Sequence, residues 1–259
     1  MNTQTDPAKP KKMMNANAPS FFINKMHQKK EAITQNTSKI EEESKKEQIL
    51  PNLLQPTEPI FDFLLALHIE AQCEKNNMLD LQEIIEISIV PINIKTGKIE
   101  ENCIFHSFVK PRLHKKLTAY CKEVTEIAQY QVDSASELEE VLKNIDVYLK
   151  HQKIYEKEFC FLTCGEWGLM SCLKKESKVK RINLPEYLQK FIDIKECYQK
   201  TMKSCPPKFR IGDMLQGLHC TKRNETDGIS DSMEIAEIAL KLMEKQFLFT
   251  KNMVKTVKL

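Results

Sequence analysis

From about residue 59 the chain alternates apolar runs with helical periodicity. Residues 61–69 (FDFLLALHI) are almost unbroken apolar, the pattern of a strand covered on both faces. Residues 83–94 (EIIEISIVPINI) predict a second strand. Lys95-Thr96-Gly97-Lys98 reads as a turn, and residues 99–109 return as a third strand, completing a hairpin. A helix is predicted over 134–150. Ser134 and Glu137 stand at capping-box spacing, and Leu138, Val141, Leu142, Ile145, Tyr148 and Leu149 fall on one helical face. Residues 159–163 (FCFLT) read as another buried strand. Helices are expected to start over 169–173 and to span 211–218 and 231–246, the last with Ile235, Ile238, Ala239, Leu242 and Met243 on one face. Strands first, then helices alternating with strands, predict an α/β domain with a mixed central sheet flanked by helices. No internal repeat is visible.

Residues 1–57 follow a different rule. They are rich in Lys, Asn, Gln, Ser and Thr and poor in large apolar side chains. In the first forty positions Lys9, Lys11, Lys12, Lys25, Lys29, Lys30 and Lys39 face only Asp6 and Glu31. Such a stretch buries too little surface to offset its ordering entropy, so a disordered Lys-rich tail is expected. Phe21, Phe22 and Ile23 are a candidate anchor, and residues 38–50 have helix-forming composition ahead of Pro51 and Pro56. The expected organisation is a tail over 1–57, one folded domain over 58–249 and a C-terminal tail over 250–259.

Bulk composition adds exclusions. Thirty-nine basic against 36 acidic residues leave a net charge of +3, so overall charge alone does not argue for nucleic acid. No apolar run approaches the roughly 18 residues of a membrane span. The N-terminal MNTQTDPAKPKK lacks the apolar core of a secretory signal. The nine cysteines are scattered without paired Cys-x-x-Cys motifs, so they read as reduced core thiols rather than zinc ligands or a disulfide framework. Cys160 and Cys164, four apart, read the same way. A cytoplasmic or nuclear location is expected.

Six segments, in order, carry a family likeness: HIEAQC at 68–73, EIIE at 83–86, TEIAQYQVD at 125–133, TCGEWGLM at 163–170, FIDIKECY at 191–198 and TDGISDSMEIA at 226–236. Together they resemble the enhanced-RNAi (Eri) branch of the DEDDh 3′–5′ exonucleases, over roughly residues 60–249. The resemblance implies a ribonuclease-H-like fold. It also implies a two-metal reaction: carboxylates hold two Mg²⁺ or Mn²⁺ ions, and a histidine takes a proton from the attacking water. The first two acids lie two residues apart on a strand, which points both to one face.

Carried over by that resemblance, the first aspartate position holds His68, the glutamate is retained as Glu70, the third acid is replaced by Gly168, the general-base histidine by Thr226, and the final aspartate is retained as Asp231. An imidazole offers one lone pair and no negative charge, so it does not bridge two hard cations as a carboxylate does. Glycine ligates nothing through a side chain, and threonine has no base near neutral pH. Losing a general base alone costs about 10²–10⁴ in rate. The expectation is an inactive exonuclease-like domain whose function has moved to protein contacts, as a scaffold subunit of an RNA-processing or small-RNA complex, with no cofactor.

Other readings rest on particular residues. An active enzyme with a rearranged Mg- or Mn-dependent site would need Glu166 or Asp227 to supply a missing carboxylate, or His219 to supply a base. His68, Glu70 and Asp231 together suit one softer ion such as Zn²⁺; the competing reading is a hydrogen-bonded polar cluster. Lys174, Lys175, Lys178, Lys180 and Arg181 form a basic run that suits RNA phosphates in a non-catalytic RNA-binding module. No DNA specificity and no membrane partner are expected. Trp167, the single tryptophan, reads as a packed structural residue.

Overall fold

The computed structural model describes residues 60–76, 79–202, 208–223 and 227–257. The tail over 1–57, its candidate helix at 38–50, and Thr226 lie outside the described residues. Seven strands form one mixed sheet in the order β3-β2-β1-β5-β6-β7, with β4 also paired to β2. These are β1 (Phe63–Ala71), β2 (Ile84–Asn93), β3 (Lys98–Ile99), β4 (Phe105–Phe108), β5 (Phe159–Thr163), β6 (Lys190–Asp193) and β7 (Lys255–Thr256). β1 runs antiparallel to β2 and parallel to β5, and β5 runs parallel to β6.

The apolar runs of β1 and β2 are explained by cover on both faces. Leu64 and Ala66 pack with Ile192, Ile235, Ile238 and Leu242 on one side of the sheet. Leu65, Leu67 and Phe161 pack with Leu138, Val141, Ile145 and Leu149 on the other. The helices are α1 (Ala119–Thr125), α2 (Gln129–Asp133), α3 (Leu138–His151), α4 (Lys174–Lys180), α5 (Ile194–Thr201), α6 (Ile211–Gly217) and α7 (Gly228–Glu244). Among the described residues no helix is long and apolar enough to cross a membrane.

Four expectations need correction. The third strand is broken: β3 and β4 are separated by a 3-10 turn at Glu101–Cys103. Ser134 does not cap α3; Glu137 holds that position, while the Ser134 hydroxyl donates to the Tyr130 carbonyl at the end of α2. Residues 169–173 belong to a π-helical turn, Trp167–Leu173, that precedes α4. The segment assigned to a C-terminal tail contributes β7, which pairs with β6 through Lys190↔Thr256 and Phe191↔Lys255, and Val257 is buried.

α7 begins one turn earlier than its apolar stripe suggests. Asp227 caps it by accepting from the Ser230 backbone N–H at 2.7 Å. Ser88 of β2 fixes this end: its hydroxyl reaches the Gly228 carbonyl and the Ser232 hydroxyl, both at 2.5 Å. Serine is too small to reach these partners across a loose interface, so the contacts hold the first turn of α7 against β2.

Candidate functional site

On the α7 side of β1, the residues after Leu64 and Ala66 are His68 and Glu70, because side chains two apart share a face. The antiparallel register sets Ser88 opposite His68 and Glu86 opposite Glu70, and sets His106 of β4 opposite Ser88. Asp231, in the first turn of α7, comes down on this polar end of the sheet. His68 Nε2 lies 3.0 Å from Glu70 Oε1 and 3.3 Å from Asp231 Oδ2. The three donor atoms lie within 4.8 Å of one another, close enough to meet around one ion.

The ring's surroundings favour a proton. Burial disfavours the imidazolium, but the Glu70 hydrogen bond and the nearby Asp231, Glu70 and Glu86 carboxylates outweigh it, and the His68 pKa is raised. Asp231 is also raised, by burial first and then by Glu70 and Glu86, with His68 and Lys222 opposing. Nε2 thus stands between two carboxylates, an arrangement that favours holding a proton on the ring.

Behind Glu70 stands Glu86, which residue-level reasoning from the sequence did not single out. It is 2 % exposed. His106 Nε2 meets its Oε1 at 2.6 Å, while Oε2 has no partner among the described residues. A Cβ on Gly228 would stand 2.6 Å from that oxygen, so any larger residue there would have to displace the Glu86 carboxylate. The signal was a second glutamate in EIIE at a spacing that puts Glu86, but not Glu83, beside Glu70.

The other wall comes from the end of β5. Gly165, at φ +88, turns the chain, and its N–H donates to Asp193 Oδ1 at 2.9 Å; Asp193 also caps α5 through the Lys195 N–H. A pocket of about 130 Å³ is lined by His68, Glu70, Thr163, Gly165, Trp167 and Gly168. Trp167 is not packed away as expected: it is 44 % exposed at the rim. Gly168 presents no side chain, although a Cβ there would meet Ile69 at an ordinary 3.5 Å.

The remaining sequence candidates separate from this cluster. The Glu166 carboxylate is bound by Lys255 Nζ at 2.5 Å, and the same ammonium holds Glu196 at 2.6 Å. Asp227 is used as the α7 cap. His219 is exposed in a left-handed turn after α6, its N–H bonded to the Gln216 carbonyl. The basic run is divided. Lys175, Lys178 and Arg181 are exposed, but Lys180 is buried, with Nζ 2.7 Å from Glu83 Oε1 and 2.5 Å from Glu176 Oε1. Lys180 is thus an internal cation, a correction to its place among the RNA candidates.

A mixed sheet whose β1 end carries His68 and Glu70 beneath Asp231 is the architecture of a DEDDh-type exonuclease fold. The exonuclease family model RNase_T matches residues 69–239, and the chain belongs to this exonuclease family, in its Eri-type branch. It is 32% identical over 192 residues to ERI1 exoribonuclease 3 of Homo sapiens, covering 73% of this chain and 56% of that protein. It is 28% identical over 204 residues to 3'-5' exoribonuclease 1 of Rattus norvegicus, covering 77% and 58%. The chain therefore matches a little over half the length of these curated relatives. Among solved structures, the nuclease domain of 3'hExo, a DEDDh family member bound to rAMP, superposes with a TM-score of 0.72 at 26% identity, covering 78% of this chain and 100% of that one. A 3'-exonuclease structure described as showing 3'-end specific recognition of histone mRNA stem-loop superposes at 0.69, with 26% identity and coverage of 78% and 92%.

Proposed function

We propose that this exonuclease-like domain is catalytically inactive and serves as a protein-binding or scaffold subunit of an RNA-processing or small-RNA ribonucleoprotein complex, in the cytoplasm or nucleus. The observation that carries the reading is the position of His68 Nε2, bonded to Glu70 and facing Asp231. Paired hard divalent ions take a shell of anionic oxygens. Here the cluster offers two carboxylates and, at the position the family resemblance gives to an aspartate, an imidazole whose surroundings raise its pKa. Even neutral, that ring supplies no negative charge toward a second cation. Gly168 adds no ligand, and Lys255 holds Glu166 in another ion pair. The donor set does not fit two Mg²⁺ or Mn²⁺ ions.

Association with RNA work rests on the relatives, whose names describe exoribonucleases and, in one structure, histone mRNA stem-loop recognition. The test uses the purified full chain with Mn²⁺ and a 3′-labelled single-stranded RNA. The RNA is expected to stay intact. Degradation that Glu70→Ala abolishes would overturn the proposal. Capture from native extract with and without nuclease treatment then reads the scaffold role: partners retained after RNA removal support it, and loss of every partner with the RNA contradicts it.

A further inference from the structure

Two basic segments far apart in sequence meet on one carboxylate. The first is KPRLHKK at 110–116, which follows β4; the second is KKESKVKR at 174–181, which forms α4 and its cap. Glu83 is fully buried. It accepts the backbone N–H groups of Arg112 at 2.7 Å, Leu113 at 2.9 Å and His114 at 2.6 Å. The same carboxylate takes Lys180 Nζ of α4 at 2.7 Å. Lys180 also holds Glu176, whose Oε2 accepts from the Ile84 N–H. The loop and the helix are thus locked side by side against the start of β2.

The lock also sorts the charges. Glu176 is the one acid in either segment, and it is fully buried against the Lys180 side chain. What remains exposed is one sign: Arg112, Lys115 and Lys116 on the loop, and Lys175, Lys178 and Arg181 on α4. On the helix the exposed arc is basic apart from Val179: Lys178 follows Lys174 by four residues, the spacing of helical neighbours, and Arg181 follows as the left-handed cap. The surface is only lightly countered, by Glu137 beside Arg112 at 3.4 Å and by exposed Asp80 on the intervening turn.

We infer that the 110–116 loop and α4 form one composite surface for the phosphate backbone of RNA. An array of separate cations of one sign, spread over two rigidly joined segments, suits a polyanion with repeating charge. Two exposed apolar side chains, Leu113 on the loop and Val179 on α4, interrupt the array singly, and it is the cations that outnumber them. This surface is distinct from the His68 pocket and holds whether or not that pocket cuts RNA.

The test measures fluorescence anisotropy of the full chain with labelled RNA between 50 and 200 mM salt, in EDTA. A single strand and a duplex of equal length form the two arms. Three variants are compared: Lys115→Glu/Lys116→Glu, Lys175→Glu/Lys178→Glu, and their combination. Each pair is expected to weaken binding and to flatten the salt slope by about 1.4 on single strands or about 1.8 on duplex, with the combination additive. Thermal unfolding checks that these exposed reversals leave the fold unchanged. The inference fails if RNA does not bind at 50 mM salt, if both reversals leave the slope unchanged, or if only the helix pair matters. Tighter capture of polyglutamate than of RNA would assign the surface to an acidic protein instead. Shortening of labelled RNA in a parallel Mn²⁺ reaction tests catalysis separately.

Discussion

Lys180→Met removes the cation from the buried Glu83–Lys180–Glu176 cluster while keeping most of the side-chain volume. Lys180 is 3 % exposed and both glutamates are 0 % exposed, so no solvent replaces the lost charge. Breaking one partner out of a buried ion pair costs about 3–5 kcal/mol, because the remaining charge is left uncompensated. For a chain of this size that corresponds to a fall in Tm of roughly 6–20 °C. Glu83 sharpens the expectation. Burial pushes its pKa up, but the His114, Leu113 and Arg112 N–H groups and Lys180 more than reverse this, and the pKa is lowered. A carboxylate lowered on folding stabilises above its unfolded pKa and loses that contribution as pH falls through the folded value. Glu176 moves the other way, raised chiefly by burial. The stability gap between wild type and variant is therefore expected to be full near neutral pH and to narrow as pH falls, first as the raised Glu176 takes a proton in the variant and last as the lowered Glu83 does so in the wild type. Urea unfolding at several pH values measures it, with Lys178→Ala as an exposed control expected within about 0.5 kcal/mol. A Lys180→Met loss no larger than the control's would refute the buried-cation argument.

Other expectations follow from the α7 end of the site. Asp227→Ala removes the helix cap and is expected to cost about 1 kcal/mol in urea unfolding; no loss would mean the cap bond to Ser230 is not formed. Gly228→Ala drives a methyl into the Glu86 carboxylate and is expected to cost about 1–3 kcal/mol, against a near-neutral result if that carboxylate swings clear. The His68 ring, titrated by NMR, is expected above the ordinary imidazole value of about 6.5 and to fall in Glu70→Gln. Its contribution to stability is present below the unfolded pKa and lost as pH rises through the folded one. A ring titrating at or below 6.5 would contradict the triad.

The α/β class and four of the strongest elements were legible because periodicity is loud where a strand is covered twice or a helix has one apolar stripe. β5 lies where FCFLT predicts it, and α3 buries Leu138, Val141, Leu142, Ile145 and Leu149. What escaped was short or decided by tertiary contact. β6 has four residues and β7 two, too few for a pattern. Ser134 and Glu137 match a capping box in spacing, but α2 ends on Ser134 and takes its hydroxyl. In the site, the resemblance singled out His68, Glu70 and Asp231, and strand alternation set the first two on one face. Glu86 and His106 needed the strand register. Lys180 looked like its exposed neighbours because helical phase, not composition, turns it inward.

The proposed loss of catalysis predicts that this pocket does not seat paired divalent ions. Mn²⁺ bound per chain, counted by electron paramagnetic resonance of the full protein against Glu70→Ala, measures that directly. The expected result is no pair of sites and no difference in two-ion binding between the proteins. Two Mn²⁺ ions bound by the wild type and lost in Glu70→Ala would contradict it.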